Sequence, residues 1–176
     1  VRTLQDAGIP IVGDRRQGLM HDKFVVIDRS EVWVGSLNFT VGGAYKDDNN
    51  LVRIRSVEMA ENYTVEFEEM FLDDRFGDES PANTPHPRLT IDGTPVEVYF
   101  SPDDGVAERV IDVGEGAERN VYFMAFSFTS DDIGQAVREA DLFYPVAGVM
   151  DEEQAASNEG TEYGLFQEVG MDVRLD

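Results

Sequence analysis

Cysteine is missing from all 176 residues, which excludes disulfides and any thiolate-bound metal. Histidine occurs only twice, as His21 and His86, so nothing resembles a metal cage, and neither a metal nor an organic cofactor is expected. Lysine is almost absent too. Of the 14 basic residues only Lys23 and Lys46 are lysines, and 36 acidic residues leave a net charge of −22 and a pI near 4.2. Non-specific nucleic-acid binding draws its affinity from basic groups that neutralise phosphates, and no basic patch is present. Arg15-Arg16 and Arg53 with Arg55 are the only local concentrations. So acidic and lysine-poor a composition fits a protein adapted to high salt, where screening removes self-repulsion, or else an ordinary acidic protein whose basic regions lie outside this sequence. No apolar run approaches the roughly 18 residues of a membrane span, and the sequence leaves cytoplasmic and secreted locations equally open.

What is present is concentrated in residues 18–40, GLMHDKFVVIDRSEVWVGSLNFT. His21 and Lys23 are two apart, so on a strand they project from one face, and Ser36 and Asn38 repeat that spacing. The runs FVVID and EVWVG, separated by Arg29-Ser30, predict a hairpin that folds the two pairs together. These residue types suit one phosphate. A neutral imidazole is a competent nucleophile near neutral pH. Lys23 offers a point charge to phosphoryl oxygens, Ser36 and Asn38 add donors where negative charge develops, and Gly35 permits close backbone approach.

The segment resembles the H-x-K-x4-D-x6-G-S-x-N signature of the phospholipase D superfamily at every defining position. That resemblance implies a metal-independent phosphodiesterase working through a phosphohistidine, with two such motifs facing each other, one histidine attacking and the other protonating the leaving group. Carried onto this chain, it makes His21 the nucleophile or its acid partner, with Lys23, Ser36 and Asn38 binding phosphate. It places Asp28 in the catalytic motif in a role closer to ordering than to chemistry. In DDNNLVRI, Asn49 stands where compact nucleases of the family carry a glutamate that orients the histidine ring. An amide orients an imidazole without stabilising its cation. The other histidine, His86, lies in NTPHPRL between prolines and reads as a loop residue.

No second H-x-K occurs. Residues 4–14, LQDAGIPIVGD, match residues 166–176, FQEVGMDVRLD, at an offset of 162, a spacing suited to two tandem copies of one domain half. The expected organisation is therefore residues 1–76 as the closing part of a first repeat, 77–95 as an exposed, proline-rich linker, and 96–176 as the opening part of a second repeat. The second motif is expected beyond Asp176 or from a homodimer partner.

Strands alternating with helices predict an α/β fold, a layered α-β-α sandwich with a mixed sheet. Residues 1–7 read as the end of a helix closed by Gly8, and IPIV, FVVID, EVWVGS and NLVRIRS as strands. Residues 57–76 form the clearest helix, with Met59, Tyr63, Phe67, Met70 and Phe71 along its core face. After the linker come a strand VEVYF, a helix over 105–113, strand NVYFMAFSF, helix SDDIGQAVREA, strand PVAGVMD, a helix around 160–169 and strand MDVRL. Three functions fit: a phosphodiesterase that hydrolyses or transfers phospholipid, a nuclease of the same mechanism, and a non-catalytic phosphate-binding module. An apolar groove beside His21 favours lipid, and one lined by arginines and aromatics favours nucleic acid.

Overall fold

Residues 24–35 do fold as the hairpin that their alternation requires. In the computed structural model, which describes residues 2–176, β1 (Phe24–Ile27) and β2 (Glu31–Gly35) pair antiparallel, and β3 (Leu51–Arg55) joins the other edge of β2. Asp28 and Arg29 take positive φ values of 52° and 48°, the left-handed conformation that a tight antiparallel turn demands. One face of the sheet carries Phe24, Val26, Val32, Val34 and Ile54. Against it lies α3 (Val57–Phe71), capped by Ser56, whose hydroxyl accepts from the Met59 N–H. Met59, Ala60 and Tyr63 enter the core, and the Tyr63 ring meets Phe24 and Phe100 edge-on at 5.0 Å each.

The helix is rotated relative to the expected stripe. Phe67 is 46% exposed, stacked on Phe71, while Glu66 and Glu69 are buried. Residues 59, 62–63, 66 and 69–70 follow one another along a single face at helical spacing, so burying Met59 and Tyr63 carries the glutamates inward with them.

The chain divides into two compact units, residues 1–105 and 106–176. Residues 88–97, expected partly as irregular linker, form instead a hairpin of β4 (Arg88–Ile91) and β5 (Thr94–Glu97) turned at Asp92-Gly93. Leu89, Val98 and Phe100 enter the same core as Tyr63, and this apolar burial ties the segment into the first unit. A short helix, α2 (Val41–Tyr45), and a single 3-10 turn at Gly77–Glu79 complete that unit, along with α1 (Arg2–Asp6) at its start.

In the second unit, α4 (Val106–Glu115) runs through Gly114 before Gly116, two residues further than the glycines suggested. Strands β6 (Val121–Ala125), β7 (Val146–Met150) and β8 (Asp172–Leu175) are all parallel, in the order β6-β7-β8. Their connections carry α5 (Asp131–Asp141), capped by Ser130, then α6 (Glu152–Ser157), absent from the sequence reading, and α7 (Tyr163–Glu168). The α/β class is as expected, with antiparallel and parallel pairing kept in separate sheets rather than mixed in one.

The internal match has a local counterpart. A helix precedes a glycine with φ of 76° at Gly8 and 78° at Gly170. After Gly170 the chain becomes β8, burying Met171 and Val173. After Gly8 it is extended but unpaired, so the expected strand IPIV is not formed, and Ile9, Ile11 and Val12 remain exposed. The sequences are alike, but among the described residues only the second segment has a neighbouring strand to satisfy its backbone.

Candidate active site

The antiparallel register decides which motif residues meet. Phe24 lies opposite Val34 and Gly35 opposite Leu51, so the leading end of β1, the trailing end of β2 and the leading end of β3 share one edge of the sheet. His21 and Lys23 precede β1, Ser36 and Asn38 follow β2, and Asn49 and Asn50 precede β3. All six gather at that end. Asp28 does not. It sits in the turn at the opposite end of β1, seven residues from His21 and so roughly 20 Å along an extended chain. Its position there orders the hairpin and keeps it from the histidine.

Ser36 is the best-fixed member. Its hydroxyl donates to Asn49 Oδ1 at 2.8 Å and accepts from the Asn50 N–H at 3.1 Å. Asn49 Nδ2 donates in turn to the Gly43 carbonyl at 3.0 Å. Both ends of the Asn49 amide are therefore engaged, and among the described residues none of its hydrogen bonds reaches His21. The sequence reading gave Asn49 to the imidazole; its observed partners are Ser36 and the 43–47 loop. Gly35 explains why the motif needs glycine here: a Cβ would stand 2.2 Å from the Asn50 carbonyl oxygen, a backbone atom that cannot yield. Lys23 Nζ donates to the His21 carbonyl, and among the described residues its charge has no carboxylate partner at hydrogen-bond distance. Asn38 is exposed, and its carbonyl accepts from the Thr40 N–H at 2.7 Å. His86 lies away from this edge. Its backbone is clamped by Asn62 through two bonds of 2.8 Å, and its Nε2 lies 2.9 Å from Glu61.

Beside His21 opens a cavity of about 720 Å³. Leu19, Met20, Met70 and Phe76 give it apolar wall, and Asp14, Asp22, Glu66, Asp78 and Glu79 give it carboxylates. Its one arginine, Arg16, is already occupied: it pairs with Asp14, Asp74 and Glu79 and lies over the Phe76 ring at 5.4 Å. Arg15 pairs with Asp74 at 3.0 Å. Arg53 and Arg55 both bind Glu31, on the outer face of the sheet, and hold its carboxyl down to about 2. The concentrations of basic charge visible in the sequence are thus neutralised locally.

Burial acts the other way on the carboxylates near the histidine. Desolvation, with Glu69, Asp22, Asp103 and Asp104 nearby, pushes Glu66 up to about 8. Asp22 counts as exposed over its whole surface, yet surrounding atoms desolvate its carboxyl and raise it, partly offset by Lys23 and His21. Desolvation also raises Glu69 and Asp103. The sequence reading missed this acidic group. The available signal was the placement of Glu66 and Glu69 in helical register with Met59. Among the described residues, no three His, Asp or Glu side chains converge as a metal-binding group.

The comparisons with known proteins fall on the same region. Residues 1–71 match the family model described as cardiolipin synthase, PLD-like domain. This part of the chain is similar to the phospholipase D superfamily. A phospholipase D of Rickettsia felis is 38% identical over 60 residues, covering 34% of this chain and 30% of that protein. A mitochondrial cardiolipin hydrolase of Xenopus laevis is 34% identical over 68 residues, covering 39% and 32%, and the mouse protein of that name is 31% identical over 68. The chain therefore spans about a third of the length of these relatives. No helix among the described residues is long and apolar enough to cross a membrane.

Proposed function

We propose that the chain is part of a metal-independent phosphodiesterase of the phospholipase D type, acting on phospholipid by hydrolysis or by transfer to an alcohol. The observation that carries this reading is the cavity beside His21, whose walls are apolar and acidic and whose single arginine is already paired. A polyanion such as DNA or RNA gains its affinity from free basic groups, and this cavity offers it repulsion instead. A lipid with a single phosphate needs only a local cluster of donors and an apolar approach.

His21 is one of two histidines in the reaction. One imidazole attacks phosphorus, the bond to the leaving alcohol breaks, and the other histidine gives the departing oxygen its proton. Water, or an acceptor alcohol, then attacks the phosphohistidine, the P–N bond breaks to free the imidazole, and the nucleophile's proton passes to the second histidine. The second histidine comes from another H-x-K motif, in the same polypeptide or in a second copy. Lys23 and Asn38 hold the phosphoryl oxygens. Ser36 joins them by turning its proton from Asn49 to the phosphate while the Asn50 N–H keeps its oxygen in place. Asn49 is a positioning residue for Ser36, and Asp28 fixes the hairpin.

The test is hydrolysis of a fluorescent phosphatidyl ester and of bis(p-nitrophenyl) phosphate in the presence of EDTA, with an alkaline denaturing quench to trap a phosphorylated intermediate on His21 or its partner. His21→Ala is expected to abolish turnover of both substrates. Full activity in His21→Ala, or its loss to EDTA alone, would overturn the reading. Preferential cleavage of nucleic acid over lipid would favour the nuclease alternative, and phosphate binding without turnover the binding module.

A further inference from the structure

Asn38 stands beyond the end of β2, where the sheet no longer fixes it, and the turn that follows takes over. The Asn38 carbonyl accepts from the Thr40 N–H at 2.7 Å. It also lies so close to Gly43 that a Cβ there would stand 2.3 Å from the same oxygen. Thr40 closes the turn with its side chain: its hydroxyl accepts from the Gly43 N–H at 2.9 Å. Phe39, Val41 and Tyr45 around it stay exposed, so burial of apolar surface is not what orders this segment. Its own hydrogen bonds do.

Gly43 is where the turn meets the Ser36 side of the site. It is buried, and its carbonyl accepts from Asn49 Nδ2 at 3.0 Å, while Asn49 Oδ1 accepts from the Ser36 hydroxyl at 2.8 Å. A continuous path of contacts therefore runs from Asn38 through Thr40, Gly43 and Asn49 to Ser36, and both of its ends are donors suited to one phosphate. The neighbouring glycine shows how specific the path is. A Cβ on Gly42 would meet nothing closer than an Asp47 carboxylate oxygen at 3.6 Å, an ordinary contact, whereas one on Gly43 would push directly against the backbone of Asn38.

Resting on the phospholipase D-type reading, we propose that Thr40 is a positioning residue: with Gly43 it fixes the spacing between Asn38 and Ser36, so that the two act on one phosphoryl group as a unit. Thr40 touches no reacting atom. Donors already set where negative charge develops need no rearrangement during the reaction. Without the Thr40 hydroxyl the Gly43 N–H loses its partner and the Asn38 end loosens, while Ser36 stays tied to Asn49 and Asn50.

The experiment measures kcat and KM on bis(p-nitrophenyl) phosphate, the Kd of inorganic phosphate and the urea midpoint for the full chain and four variants. Thr40→Val, which keeps the shape without the accepting oxygen, is expected to lower kcat about tenfold, the worth of one hydrogen bond, with KM little changed. Inorganic phosphate, which carries charge like that developing in the reaction, should bind about tenfold more weakly for the same reason. Thr40→Ser restores an accepting oxygen and should return both values to within about twofold of wild type. Gly43→Ala should lose more than Thr40→Val, because Asn38 itself must move, and Gly42→Ala should match wild type. A lowered urea midpoint in Thr40→Val with kcat and phosphate affinity intact in the folded protein would mark a purely structural turn and overturn the proposal. Equal losses in Thr40→Ser and Thr40→Val would do the same. Should Thr40→Val not fold, the two glycine variants decide: equal effects of Gly42→Ala and Gly43→Ala would overturn the proposal. A wild type that binds phosphate without turnover, and loses that binding in Thr40→Val, would overturn the phosphodiesterase reading and leave the positioning role supported. Neither turnover nor phosphate binding in the wild type would overturn both.

Discussion

Replacing Glu66 by Gln should make the protein more stable at pH 8 and leave it unchanged at pH 5. The carboxyl is raised in the folded state from 4.5 to about 8, by desolvation first and by neighbouring carboxylates second. Between those values the folded chain holds a proton that the unfolded chain has released. Stability from this group is therefore complete below 4.5 and is lost as pH climbs through 8. Each pH unit is worth about 1.4 kcal/mol for an isolated group, which bounds the loss at about 5 kcal/mol. The cavity admits water, and the protons are shared among Glu66, Glu69, Asp22 and Asp103, so about 2 kcal/mol is the expected magnitude. Glutamine is neutral throughout and carries no such loss. Urea unfolding at several pH values, followed by the fluorescence of Trp33, the one tryptophan, reports on the first unit directly. Both proteins contain the same other titrating groups, so the difference between their curves isolates Glu66. Parallel curves from pH 5 to 8 would refute the assignment of a buried, proton-holding carboxyl.

Gly35→Ala should disturb the site rather than the hairpin alone. The new Cβ collides with the Asn50 carbonyl, so β3 must shift and the bonds from Asn49 and Asn50 to Ser36 are lost. Activity is expected to fall at least tenfold with the far-ultraviolet circular dichroism spectrum retained, and unchanged turnover would contradict the close approach. Asn62→Ala removes both bonds to the His86 backbone inside the core, and it should cost about 2–4 kcal/mol in urea unfolding, whereas His86→Ala, which removes only an exposed contact with Glu61, should cost little. Raising salt from about 0.1 M to about 1 M shortens the screening length from about 10 Å to about 3 Å. With a net charge of −22, the melting temperature should rise over that interval, and a flat response would remove self-repulsion as the reason for the composition.

The hairpin that carries His21, Lys23, Ser36 and Asn38 at its ends and most of the helices were legible because each rests on local periodicity and turn chemistry. What escaped the sequence rests on neighbours. IPIV has the composition of a strand, and its counterpart after Gly170 is one, but a strand exists only where another backbone pairs with it. The 88–97 hairpin was hidden by its prolines, although Asp92-Gly93 between apolar residues is a recognised turn signal. The basic clusters could be seen, but not the Asp14, Glu31, Asp74 and Glu79 carboxylates that neutralise them, since Asp74 lies 58 residues from Arg16.

Glu66 is the instructive case, because its identity alone suggested a solvated face of α3. Only the anchoring of Met59 and Tyr63 in the core fixes the helix rotation that turns Glu66 inward, into the cavity that His21 also lines. The same dependence on neighbours holds for Glu162, which is equally deep in the second unit and paired with Arg138.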